Sequence, residues 1–178
     1  IVEAIECVVR TGSPALEICR VAEERRARFI CIAWKKKDFL QRTLLGSVTQ
    51  DVVRLSQLPV LVYKKGTLED MPGRLHHILY ATNFDRSHEP IMEILKNREW
   101  CAQELFVLHV GQRAPDPKAE LKRREAIQGQ LQQLIGNIGD CFEGVKPLSR
   151  VGNPKREILR TARQYEADVI VLGKYSHG

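Results

Sequence analysis

Short apolar runs alternate with amphipathic stretches along the whole chain, and this alternation predicts its elements. FICIAW (29–34), LPVLVYKK (58–65), HHILYATN (76–83), ELFVLHV (104–110), FEGVKPLSRV (142–151) and DVIVLG (168–173) are strand-length segments. FICIAW and DVIVLG are continuously apolar and rich in β-branched residues, the signature of a strand covered on both faces. Between the runs, apolar positions recur at helical spacing, as at Leu16, Ile18, Val21 and Ala22 or Ile158, Leu159 and Ala162. Further helices are expected over residues 47–55, 88–98 and about 117–135. Strands alternating with helices imply an α/β fold, an open parallel sheet with helices on both faces.

One stretch occurs twice. VRTGSPALEICRVAEERRARFICIA (9–33) and SRVGNPKREILRTARQYEADVIVLG (149–173) align without a gap at an offset of 140 residues. Arg10/Arg150, Gly12/Gly152, Pro14/Pro154, Glu17/Glu157, Ile18/Ile158, Arg20/Arg160, Ala22/Ala162, Ala27/Ala167 and Ile30/Ile170 are identical pairs. The chain therefore carries parts of two related units. In each copy Gly-x-Pro ends a strand and starts a helix, with Ser13 or Asn153 as N-cap and Pro14 or Pro154 at the first helical position. The expected organisation is a first unit over 1–65, a polar linker GTLEDMPGR over 66–74, and a second unit over 75–178. The first unit is expected to lack its opening half, and the second its closing helix and strand.

Composition narrows the function classes. The formal charge of +6 comes from 28 cations dispersed among 22 anions on helix-like segments, which reads as solvated helix faces before a nucleic-acid surface. Aromatic residues make up 6% of the chain, and no basic-aromatic alternation offers a base-stacking platform. Cys7, Cys19, Cys31, Cys101 and Cys141 lack metal-ligand spacing and are expected to be buried reduced thiols. With no bilayer-length apolar run and no secretory leader, the expectation is a cytoplasmic chain without a membrane segment.

In an open parallel sheet, ligands sit beyond the carboxyl ends of the strands. In the second unit that edge carries ATNFDRS, GQRAP and GKYSHG; in the first it carries AWKKK and LLGSV. Gly46-Ser47 at a helix start offers backbone N–H groups and a hydroxyl to a phosphate, or is an ordinary N-cap. Lys35, Lys36 and Lys37 contact an anion through their side chains or form a solvated loop. His76, His77, His88 and His109 read as surface or packing histidines, while His177 stands in the terminal loop that would cover a phosphate. Asp85, Arg86 and Ser87 can cap the helix that follows them.

Taken in order, a strand ending in IA or LG, a short loop, LLGSV with its helix and a PVLVYK strand resemble the universal stress protein family. ILYATNFDRS resembles that family's first strand, LFVLHV its second, and VGNPKREIL its third strand and helix. The resemblance covers nearly the whole chain. It implies a Rossmann-like, HUP-type sheet and, in some members, an ATP site written G-x2-G-x9-G-(S/T). At that spacing the first unit carries Ala33, Lys36, Gly46 and Ser47, so both leading glycines are replaced. In the second unit Gly173 matches the first glycine, Ser176 falls at the second, and Gly178 serves if the loop is shifted. The family's acidic residue at the first strand tip is Asn83 here, flanked by Ala81 and Thr82. Asn83 keeps hydrogen-bonding capacity without charge. By the same resemblance Val110 lies beside an adenine; by its pattern alone it is ordinary strand core.

The resemblance thus implies a tandem stress-response module with ATP as its ligand, the second unit being the better site and no metal expected beyond nucleotide-bound magnesium. It also implies a homodimer, or pairing of domains within one chain, through the terminal strand LPVLVYKK. No general base paired with a nucleophile emerges, so a binding or regulatory module is expected ahead of an enzyme. The alternatives are a weak ATPase or adenylyl transferase on the same scaffold, and a basic surface over Lys35–Lys37 and 118–124 for an acidic partner.

Overall fold

The computed structural model describes residues 4–34, 46–64, 75–85, 88–96, 102–138 and 142–174. The chain divides into two compact units, Ile1–Met71 and Pro72–Gly178.

The first unit contains α1 (Pro14–Glu24), β1 (Ile30–Trp34), α2 (Ser47–Leu55) and β2 (Val60–Lys64). The strands run parallel, from Ile30 opposite Val60 to Trp34 opposite Lys64. Parallel strands need a crossover, which α2 supplies. Ala15, Cys19 and Ala22 of α1 meet Val52 of α2 over Ile30 in a small core. Small residues on α1 allow close approach of the two helices. Ser56 ends α2 by donating to the carbonyl of Leu58 (2.9 Å) and accepting from its N–H (3.0 Å), which turns the chain into β2.

The second unit contains β3 (Leu75–Thr82), α3 (His88–Lys96), β4 (Ala102–Gly111), α4 (Pro117–Gly136), β5 (Gly144–Val151), α5 (Pro154–Gln164) and β6 (Val169–Leu172). Its four strands are parallel in the order β5-β4-β3-β6. The two faces follow from the period of two along each strand. Ile78, Tyr80, Leu105 and Val107 face α3 and α4 through Ile91, Met92, Leu95, Ile127 and Leu131. Leu79, Ala81, Phe106 and Leu108 face α5 through Ile158 and Ala162. Burying this apolar surface, at about 25 cal/mol per Å², is what holds the layers together. At the start of the sheet the Asp168 carboxylate accepts from the N–H groups of His76 (2.7 Å) and His77 (2.9 Å), while its own N–H donates to the His77 carbonyl.

The repeated segment has one backbone frame in both units. Gly12 and Gly152 have φ of 144° and 147°, a region L residues rarely adopt. A Cβ at either would come within 3.2 Å of the Cγ of Glu17 or Glu157. Both helices close alike, with Arg26 and Glu166 in left-handed conformation and Ala27 and Ala167 donating to the carbonyls of Ala22 and Ala162. That is the six-to-one bond of a Schellman ending, made here without glycine.

Three expectations are corrected. Asn153 caps α5 by accepting from the Arg156 N–H (3.2 Å), but Ser13 makes no side-chain cap bond. Of the described cysteines Cys19 is buried, whereas Cys7 and Cys31 are exposed. Cys31 and Ala33 lie on a face of β1 that no described residue covers, so a continuous apolar run did not mean two covered faces there. Residues 35–45, 65–74 and 175–178 lie outside the described residues, and with them Lys35–Lys37, the 66–74 linker, Ser176, His177 and Gly178. So do Arg86, Ser87, Cys101 and Cys141.

Candidate functional site

β3, β4 and β5 are laid down on one side, and β6 returns to the other side of β3. The strand order reverses between β3 and β6, which opens a crevice beyond their carboxyl ends. Ala81 pairs with Leu108 on β4 and Leu172 on β6, and Thr82 pairs with His109. Asn83 directly follows Thr82, Val110 directly follows His109, and Gly173 follows Leu172. Ala81, Thr82, Asn83, Val110 and Gly173 therefore share one sheet edge, with Asn83 and Gly173 exposed.

Their side chains divide between the two faces. Ala81 is buried on the α5 side, where half-buried Val110 also packs, against the Leu79, Phe106 and Leu108 cluster. Thr82 lies on the α3 and α4 side, and its hydroxyl accepts from the Phe84 N–H at 3.0 Å. Phe84 takes a left-handed φ of 62°, which turns the chain sharply after Asn83. The Asn83 side-chain oxygen faces the Asp85 N–H at 3.4 Å, a long contact that leaves the amide available to a ligand.

Beneath this turn lies a network around His109, which by sequence reads as a surface or packing histidine. The Nδ1 of half-buried His109 is 3.0 Å from the Thr82 carbonyl, so Nδ1 carries the proton and donates. The Phe84 ring stacks on the imidazole, with centroids 4.8 Å apart and planes 20° from parallel. Burial pushes the His109 pKa down and the nearby Arg123 charge adds to that, against the opposing pull of the Thr82 carbonyl. Arg123 is clamped by Glu120, its Nε and Nη2 donating at 2.9 and 2.7 Å. Arg123, the Ala114 N–H and Arg124 hold the Glu120 carboxyl well below the usual carboxylate range. The remaining guanidinium nitrogen, Nη1 of Arg123, is buried without a hydrogen-bond partner among the described residues. A Cβ on Gly111 would sit 3.0 Å from that nitrogen and 3.2 Å from Nε2 of His109. Only the Glu-x-x-Arg spacing of 120 and 123, one helical turn, announced part of this arrangement.

In the first unit, Gly46 rather than Ser47 is the N-cap of α2, in extended conformation, and Ser47 is the first helical residue. A Cβ at Gly46 would meet nothing within 4 Å, and its backbone requires no glycine. No group of three or more potential metal ligands occurs among the described residues. No described helix is long and apolar enough to cross a membrane.

The Universal stress protein family model matches residues 1–64 and 74–178, nearly the whole chain in two segments. The chain belongs to the universal stress protein family. Membership makes it a stress-response protein with the Rossmann-like fold described above. Universal stress protein MJ0531 of Methanocaldococcus jannaschii is 44% identical over 54 residues, 30% of this chain and 32% of that protein. Universal stress protein MJ0577 of the same organism is 36% identical over 61 residues, 34% of this chain and 38% of that protein. The matched stretches thus span about a third of each curated relative. A universal stress protein structure from Archaeoglobus fulgidus shares the fold, with a TM-score of 0.60 at 24% identity, over 93% of this chain and 55% of that one.

Proposed function

We propose that this stress protein is a nucleotide-responsive binding module, with an ATP site at the carboxyl edge of the second unit. What supports this reading is that Asn83 and Gly173 directly follow the ends of the neighbouring strands β3 and β6, where the strand order reverses, and that Val110 lies near the end of β4 on the other side of β3. Asn83 offers an amide to a base or ribose, Val110 an apolar contact, and Gly173 an unobstructed backbone to phosphate. Ser176 and Gly178 would extend the phosphate loop. ATP would bring its own magnesium.

The first unit contributes Gly46 and Ser47, the helix-start half of a phosphate site, while Lys36 replaces a loop glycine. We assign it no nucleotide. Pairing through β2, as a homodimer or between domains of one chain, would transmit occupancy of the second unit to partners. We propose binding ahead of turnover as its function, with slow or absent hydrolysis as the expectation.

The test is to denature the purified protein, separate the released small molecules and titrate the emptied protein with ATP. One nucleotide per chain, with affinity lost in Asn83→Lys and kept in Ser47→Ala, is the expected result. No released nucleotide and no binding at about millimolar ATP, a bound-state free energy of about −4 kcal/mol, would overturn it.

A further inference from the structure

We propose that His109 is the positioning residue for the Asn83–Asp85 turn, and that its protonation releases this turn. The His109 ring holds the turn twice, by its Nδ1 proton on the Thr82 carbonyl (3.0 Å) and by its face against Phe84 (4.8 Å). Phe84 needs such support, because a bulky residue at a φ of 62° is held there by its surroundings. The Thr82 hydroxyl supplies the third restraint by accepting from the Phe84 N–H.

The Nδ1 bond and the stacking both persist in the imidazolium, so what protonation changes is Nε2. With the proton on Nδ1, Nε2 is a lone-pair acceptor, and it faces the space above Gly111 that buried Nη1 of Arg123 also faces. A second proton on Nε2 would set donor against donor beside a fixed positive charge. Among the described residues, the charged group that acts on the ring is Arg123 from α4, itself held by Glu120, while Asp85 of the turn acts on Tyr80 of β3. Glu120 is committed to Arg123, Arg124 and the Ala114 N–H, and so is not free to receive the imidazolium. Burial pushes the Tyr80 phenol up, so it stays neutral throughout. Stacking on Phe84 favours the imidazolium, whereas burial and the Arg123 charge oppose it, and the His109 pKa is lowered.

The turn carries Asn83, so its release lowers occupancy of the crevice as the medium acidifies. That last step rests on the nucleotide reading; the latch itself does not. The experiment follows the His109 ring and the Phe84 and Asp85 amides by NMR in the full chain, from about pH 8 to about pH 5. It then repeats an ATP titration at both ends of that range. His109 is expected to titrate below the ordinary value of about 6.5, with both amides moving at the same midpoint. Removing the like charge in Arg123→Met should raise that midpoint.

ATP affinity should fall on acidification by about tenfold for each unit by which release of the turn shifts the His109 pKa. In His109→Gln, where an uncharged amide can keep the bond to Thr82, the decline should shrink to the part due to ATP's own phosphates. Amides that ignore the His109 titration, or an unchanged pH dependence in His109→Gln, would overturn the latch. Amides that follow His109 while ATP binds at neither pH would leave the latch standing and overturn the nucleotide reading.

Discussion

Helices α1 and α5 are two copies of one sequence element, and they agree in everything that shapes the backbone while differing in what they present outward. Each begins after a glycine near φ 145°, packs a glutamate over that glycine, carries proline at its first turn and ends in a left-handed non-glycine residue. Yet Ala15 and Cys19 of α1 are buried against α2, whereas their counterparts Lys155 and Leu159 on α5 are exposed. Of the cations on α5, Lys155, Arg156, Arg160 and Arg163 all face solvent. The identical residues specify the turn and the sheet-facing side. The divergent ones record what lies against the helix.

The comparison breaks most sharply at the glycines. Gly12→Ala and Gly152→Ala should each cost about 2 kcal/mol, because both add strain at positive φ and a contact 3.2 Å from a glutamate. Urea unfolding of the two variants should give matching losses; a loss at one glycine alone would mean that the frames are not equivalent. Next comes the covered face. Cys19→Lys places a charge between α1 and α2 and should cost about 1–2 kcal/mol, while Leu159→Lys should stay within about 0.5 kcal/mol. Equal costs would show that something also covers α5.

The caps sharpen the same contrast at smaller scale. Asn153→Ala should cost about 1 kcal/mol, and Ser13→Ala, which removes no cap bond, a few tenths at most. The smallest effect is that of pH. His109 has its pKa lowered in the fold, so the stability it contributes is full above the unfolded value of about 6.5 and is lost as pH falls through that value toward the folded one. Urea midpoints measured across this window should decline in the parent chain and stay level in His109→Gln.

Much of the fold was legible because local and global signals agreed. The gapless repeat located both copies of the turn and helix, and the apolar runs marked every described strand to within a few residues. Residues 47–55 and 117–135 were placed from caps and periodicity, and α2 and α4 occupy them almost unchanged. What stayed hidden was non-local. Nothing near Cys31 says how many faces of its strand are covered, since that depends on elements elsewhere. Left-handed Arg26 and Glu166 escaped because such positions usually announce themselves with glycine.

The candidate edge was readable from its place after the strands, which the strand order then narrowed to the crevice between β3 and β6. The support beneath it was not. His109, Arg123 and Phe84 come from a strand, a helix and a turn, and the pattern reads the histidine as surface or packing and the arginine as part of a charged helix face. Only their convergence gives the histidine a donor role and the arginine a buried nitrogen without a partner among the described residues.

The carboxylate of Asp168 has a consequence for how the second unit assembles. Its bonds to the backbone of His76 and His77 join positions 92 and 91 residues apart, nearly the full length of that unit. Such a closure pays its chain entropy before any contact repays it, and non-local pairings of this kind set slow folding rates. The strand beginning at Val169 is four residues long and too short to hold its place by pairing alone. Asp168 therefore ties β6 to the start of β3 across the length of the unit, and the crevice beside β3 is complete only once that long-range closure is made.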